Sequence, residues 1–67
     1  MEHKEEFAKK IKYLRINKLM LTQIEFAKLL GVSYESINRY ERSKSVPTLT
    51  TRRKLVMMMK ENGIEVE

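Results

Sequence analysis

The sequence predicts an all-α domain, a compact bundle of four to five short helices, and three observations carry that prediction. Apolar residues recur at helical spacing, as in Phe7, Ile11 and Leu14 at i, i+4 and i+7. Hydroxyl residues suited to helix N-caps stand ahead of three successive segments, at Thr22, Ser33 and Thr48. Gly31 pinches two of those segments apart, at a left-handed turn that a side chain would disfavour.

Each element follows from local chemistry. The first helix is expected from about Glu5 to Lys18, with Lys9, Lys10 and Lys12 turned away from its apolar stripe. Leu19, Met20 and Leu21 form an apolar connector predicted to pack back on the core. Thr22 with Glu25 three residues later is a capping-box signature for the second helix, which Gly31 ends. Ser33 caps a third helix running to about Arg42. Ser43 to Pro47 reads as a loop, because the residue before proline is pushed out of helical geometry.

Thr48 caps a fourth helix to about Glu61, and Asn62-Gly63 stops it. Leu49, Leu55, Val56 and Met59 are its expected buried stripe. Met57, Met58 and Met59 span most of a helical circumference, so one or two are core and at least one is exposed. The tail Ile64-Glu65-Val66-Glu67 reads equally as a packed extension, a short strand pairing across a dimer, or a frayed end.

Residues 1–67 make one small domain, with 64–67 as a tail. Without cysteine there is no disulfide, and the single histidine, His3, builds no zinc site by itself. The longest apolar run, Leu55 to Met59, is far short of a membrane span, and the N-terminus lacks the apolar core of a signal peptide. A cytoplasmic location is the default expectation. No nucleophile–base constellation, phosphate-cradling glycine loop or metal-ligand cluster is visible. The chain is therefore expected to be no enzyme and to use no cofactor, metal or small-molecule ligand.

The net charge of +5 is unevenly spread. Residues 1–32 carry a net +3, residues 33–54 a net +4 and residues 55–67 a net −2. Basic density thus peaks at and just after the third helix, which makes a nucleic acid a plausible partner. Charge alone leaves a merely solvated lysine surface open.

The stretch Gln23–Arg42 decides more. Phe26, Leu30, Val32, Ile37 and Tyr40 fall where they wedge two short helices on a shared core, and small Ala27 lets their backbones approach. This is the helix-turn-helix pattern, formed by helices 2 and 3. With Ile37 and Tyr40 inward, Tyr34, Glu35, Asn38 and Arg39 face outward, with Ser33 and Ser36 at the margin. These are groups that read DNA. Arg39 matches guanine O6 and N7, Asn38 matches adenine N6 and N7, and Glu35 accepts from cytosine N4. The Tyr34 ring suits a thymine methyl, and its hydroxyl a phosphate.

From Ile11 to about Met59 the chain resembles the Cro/phage-repressor (Xre-like) helix-turn-helix family. The residues that carry the likeness are Leu14-Arg15, Leu21-Thr22-Gln23, Phe26 to Ser33, Ser36-Ile37 and Tyr40-Glu41-Arg42, with Pro47 following. The resemblance implies a bundle of the phage-repressor type whose third helix enters the major groove of double-stranded DNA, as in a repressor-like transcriptional regulator. It implies base contacts by Tyr34, Glu35, Asn38 and Arg39. It implies backbone contacts by Gln23, Ser33, Ser36, Ser43 and Lys44, with the main chain of Ser43 and Ser45 helping to grip the sugar-phosphate strand. Gln23 would also buttress the third helix, and Arg15 and Glu41 would form a semi-buried ion pair. A homodimer on a two-fold symmetric operator is the arrangement the resemblance implies.

Three departures stand out. The link from Arg15 to Gln23 is one residue longer than the family's usual spacing and lacks its common glycine. Ser43 stands where relatives often have glycine. Arg52 stands where the fourth helix often has leucine, so that helix is either rotated or polar on that side.

A second function class stays open, a protein-interaction module or antitoxin-like partner that keeps the fold. Adhesion to an anionic membrane is disfavoured, because the basic residues adjoin no helix with a large exposed apolar face. The basic run Arg52-Arg53-Lys54 reads either as a second phosphate contact or as a solvated turn.

Overall fold

A computed structural model describes residues 4–66; the expectation about His3 and the last residue of the tail lie outside them. The order is α1 (Lys4–Tyr13), a π-helical turn (Leu14–Lys18), α2 (Gln23–Leu30), α3 (Tyr34–Glu41) and α4 (Leu49–Glu61), with no strand among the described residues. Phe7, Ile11, Leu14, Phe26, Ala27, Leu30, Ile37, Tyr40, Leu55 and Met59 form one buried cluster drawn from all four helices. The wedge expected of helices 2 and 3 is built as read, with Val32 partly buried at its edge.

The helix starts obey the capping chemistry. The Thr22 hydroxyl accepts from the Glu25 N–H at 3.1 Å, and the Glu25 carboxylate accepts from the Thr22 N–H at 2.8 Å. Ser33 accepts from the Ser36 N–H at 3.1 Å. Thr48 caps α4 more loosely, at 3.5 Å from the Thr51 N–H.

The helix ends share a second device. After α2, the Val32 N–H returns to the Ala27 carbonyl and the Gly31 N–H to Lys28, with Gly31 at φ 74°. After α4, Ile64 returns to Met59 and Gly63 to Lys60, with Gly63 at φ 76°. After α3, Lys44 returns to Arg39 and Ser43 to Tyr40, and Ser43 takes the left-handed position at φ 61°. All three are Schellman endings. The third uses a serine where glycine costs least.

The long link after α1 is absorbed inside the helix. At the π turn the Leu19 N–H bonds to the Leu14 carbonyl, one residue wider than an α-turn, and the Leu21 N–H reaches back to Arg15. Met20 supplies the left-handed residue at φ 54° that glycine would otherwise provide. The helical segment still ends at Lys18, as expected, but its last turn is wound more loosely. Leu19 and Leu21 pack on the core, whereas Met20 points to solvent and is 82% exposed, which corrects the reading of it as a core contact.

α4 is rotated slightly from its expected stripe. Leu55 and Met59 are buried and Val56 is half-buried, but Leu49 is exposed and Thr51 lies inside. The helical period accounts for it: with Leu55 and Met59 inward at i and i+4, position 51, four residues before Leu55, falls on the same face, while position 49 lies about 120° round the helix from Leu55. Met57 is exposed, Met58 half-buried and Met59 buried. Ile64 and Val66 pack against the core, so the described part of the tail is a packed extension.

Candidate nucleic-acid interface

α3 is an eight-residue helix with a sharply divided surface. Ile37 and Tyr40 are buried, while Tyr34, Glu35 and Arg39 are exposed and Asn38 is half-buried. The four expected base-facing side chains therefore share the face opposite the core. Beyond the helix, Lys44 is exposed and Ser43 half-buried.

What holds α3 in place is a polar network running across three elements. The Arg15 guanidinium, on the π turn, donates through Nε to Glu41 Oε2 at 2.6 Å and through Nη2 to Oε1 at 3.0 Å. Its Nη1 donates to the Leu21 carbonyl at 2.9 Å, pinning the link that leads into α2. The side chains of the pair are 10% and 4% exposed, so this is a bidentate ion pair held largely out of water. The semi-buried pair implied by the resemblance is present.

Gln23, at the start of α2, extends the network. Its Nε2 donates to Glu41 Oε1 at 3.0 Å, and its Oε1 lies 3.5 Å from the Asn38 Nδ2. Gln23 thus buttresses the C-terminal half of α3 with its side chain. No sequence spacing signals the link to Asn38, because the two residues meet only through the inter-helix turn.

The remaining expected contact residues carry structural duties as well. The Ser33 and Ser36 hydroxyls lie 2.9 Å apart and cap α3, so both are oriented by the helix start. The Ser43 N–H is spent on the Tyr40 carbonyl at 3.2 Å and the Lys44 N–H on Arg39 at 2.8 Å. The Schellman turn thus engages the main-chain N–H groups of Ser43 and Lys44 within the protein. The Ser43 hydroxyl, the Lys44 ammonium and the Ser45 main chain lie together just past the end of α3, with Lys44 exposed.

Two residues of the basic run on α4 make contacts within the protein. The Arg52 guanidinium lies over the Phe7 ring, 4.2 Å from its centroid, roofing the core where a leucine would otherwise pack. Lys54 donates to the Leu30 carbonyl at 3.4 Å, at the negative end of the α2 dipole. Arg53 is exposed. No helix among the described residues is long and apolar enough to cross a membrane.

Comparison with known families decides the class. Residues 11–58 match the family described as helix-turn-helix, over the span that holds α2, the Gly31 turn, α3 and the Arg15–Glu41 pair. The chain belongs to the Cro/phage-repressor type of helix-turn-helix family. Helix-turn-helix proteins of this type bind DNA and regulate transcription, and this one has its motif on α2 and α3. No curated protein and no solved structure matches the chain. Within this helix-turn-helix domain, the departures from the family pattern all fall at helix ends or on the edge of the core, outside the α3 face.

Proposed function

We infer that this domain binds double-stranded DNA sequence-specifically by inserting α3 into the major groove, and acts as a repressor-like regulator by occupying an operator. The observation that carries the reading is the division of α3. Tyr34, Glu35, Asn38 and Arg39 form one outward face while Ile37, Tyr40 and the Glu41 carboxylate lock the other. A helix so anchored presents base-reading groups at fixed positions, which a frayed or mobile helix cannot do.

Roles follow from chemistry and exposure. Tyr34, Glu35, Asn38 and Arg39 read base edges. Lys44 and the hydroxyls of Ser33, Ser36 and Ser43 meet the sugar-phosphate backbone, where contacts set register and carry no sequence information. Gln23 contributes its main-chain N–H at the first turn of α2, since its side-chain amide is engaged inside the protein. A two-fold dimer would set two α3 helices about one DNA turn apart. The outer side of α4 is the candidate seam, where grooves of about 250 Å³ and about 380 Å³ adjoin at exposed Met57.

The test is binding of labelled duplexes across a salt series by wild-type, Arg39→Ala and Lys44→Ala proteins. Each phosphate contact lowers log K by about 0.9 per decade of salt. Lys44→Ala should weaken every sequence alike and reduce that slope by about 1. Arg39→Ala should cost about 1–3 kcal/mol on the preferred duplex alone and relax base preference. Equal affinity of wild-type and Arg39→Ala proteins for every duplex would refute the reading.

The alternative is a partner-protein module, and the exposed Met57 beside Leu29 and Leu49 favours it as the surface to probe. DNA-independent, salt-insensitive co-purification of one partner, abolished by Met57→Glu, would establish it.

A further inference from the structure

We propose that Glu41, acting through Gln23, fixes which way round the Asn38 amide stands, and so makes adenine the base that Asn38 reads. The inference rests on the DNA-reading role of α3 given above and deepens it.

The directionality begins at the ion pair. Glu41, paired bidentately with Arg15, is a carboxylate with acceptor oxygens only. The Gln23 amide facing Glu41 Oε1 at 3.0 Å must therefore present its NH2 group, because the opposite orientation would set oxygen against oxygen. That choice turns Gln23 Oε1 toward α3. Asn38, 3.5 Å away, must in turn present its own NH2 group to that oxygen. Two amides, each ambiguous alone, are ordered in series by one carboxylate.

The outcome at the protein surface is specific. One Asn38 N–H is directed at Gln23, while Asn38 Oδ1 and the second N–H are left for the groove. An acceptor beside a donor is the complement of adenine, whose N6 donates and whose N7 accepts. An amide free to turn over can instead offer N–H groups to guanine O6 or thymine O4. Gln23 and Glu41 are thus positioning residues: neither touches a base, yet both decide what Asn38 accepts.

The experiment is selection of bound duplexes from a random pool by wild-type, Asn38→Ala, Gln23→Met and Gln23→Lys proteins. Circular dichroism first confirms a wild-type helical signal for each. Gln23→Met keeps the bulk of the side chain and removes both polar atoms. Gln23→Lys still donates to Glu41 but offers Asn38 no acceptor, so it serves if the methionine variant unfolds. Wild-type protein should prefer adenine at one position by about 5- to 150-fold, the range of a good bidentate contact. Asn38→Ala should level that position, and both Gln23 variants should admit guanine or thymine there while every other position keeps its preference. Full adenine preference in the Gln23 variants overturns the relay and leaves the DNA-reading role of α3 standing. An Asn38→Ala profile identical to wild type, or a wild-type preference for another base at the position Asn38 reads, overturns it equally. Enrichment of no motif by wild-type protein defeats the DNA-reading role itself, and the relay with it.

Discussion

Removing the Glu41 carboxylate tests how the recognition helix is held. In Glu41→Ala, Arg15 loses two charge-assisted bonds, at 2.6 and 3.0 Å, and Gln23 loses its acceptor at 3.0 Å. The guanidinium stays where its side chain is only 10% exposed, so a charge is left without its counter-ion and largely out of water. Breaking a buried pair in this way costs about 3–5 kcal/mol, whereas an exposed pair is worth about 0–1. A domain of 67 residues has roughly 3–10 kcal/mol in total, so the variant should be unfolded or close to it. The double variant Arg15→Met/Glu41→Leu removes both charges together. It leaves only the Gln23 amide and the Leu21 carbonyl short of a partner, at about 1–3 kcal/mol each when fully dry, and both residues are half-buried, so water takes up much of that. It should therefore be clearly more stable than Glu41→Ala. Urea unfolding followed by circular dichroism measures all three proteins. A loss below about 1 kcal/mol in Glu41→Ala, or a double variant no better than the single, would show that the pair behaves as a surface pair and that α3 is held by apolar packing alone.

Other predictions concern the turns and caps. Ser43→Gly should raise stability by about 0.5–1 kcal/mol, because Ser43 occupies a left-handed position at φ 61° that costs a side chain about 1–2 kcal/mol; thermal melting at or below wild type would contradict it. Gly31→Ala should lose about 1–2 kcal/mol for the converse reason, since φ is 74° and an added Cβ meets no atom within 4 Å. The Thr22 N–H and hydroxyl hold the Glu25 carboxyl below its ordinary 4.5. A lowered folded value means that the box contributes fully above pH 4.5 and that its contribution disappears as pH falls through the lowered value. Stability of Glu25→Ala should accordingly fall less steeply with acid over that window than wild type, and parallel curves in urea melts would refute the assignment.

The residues legible from sequence were those whose reason is local. Thr22, Glu25, Ser33 and Thr48 cap helices because of what lies three residues on, and Gly31 turns the chain because it lacks a side chain. The core faces of α2 and α3 follow from a period that short helices keep. Phase is what sequence did not reveal. Periodicity assumes a constant number of residues per turn, and the π turn at Leu14–Lys18 breaks that assumption; the extra residue of the link shows in the sequence, but not that the helix absorbs it. Leu49 shares a face with Val56, and the core takes the neighbouring face of Leu55 and Met59, which carries Thr51 at its first turn; apolar character alone does not tell the two apart. Arg52 looked like a surface charge, yet its aliphatic stem and planar head make it a lid for Phe7. On α3, the outward face was read from Ile37 and Tyr40 alone. The tie from Glu41 through Gln23 to Asn38 depends on tertiary distances that no spacing encodes.

Insertion of α3 into the major groove is tested most directly by atom-specific changes to the guanine that Arg39 reads. Replacing that guanine by 7-deazaguanine removes a major-groove acceptor, and replacing it by inosine removes the minor-groove amino group. The 7-deaza duplex should bind wild-type protein about 10-fold or more weakly and Arg39→Ala protein no differently, while inosine should leave both unchanged. Weakening by inosine, with 7-deazaguanine tolerated, would place the contact in the minor groove and contradict the account.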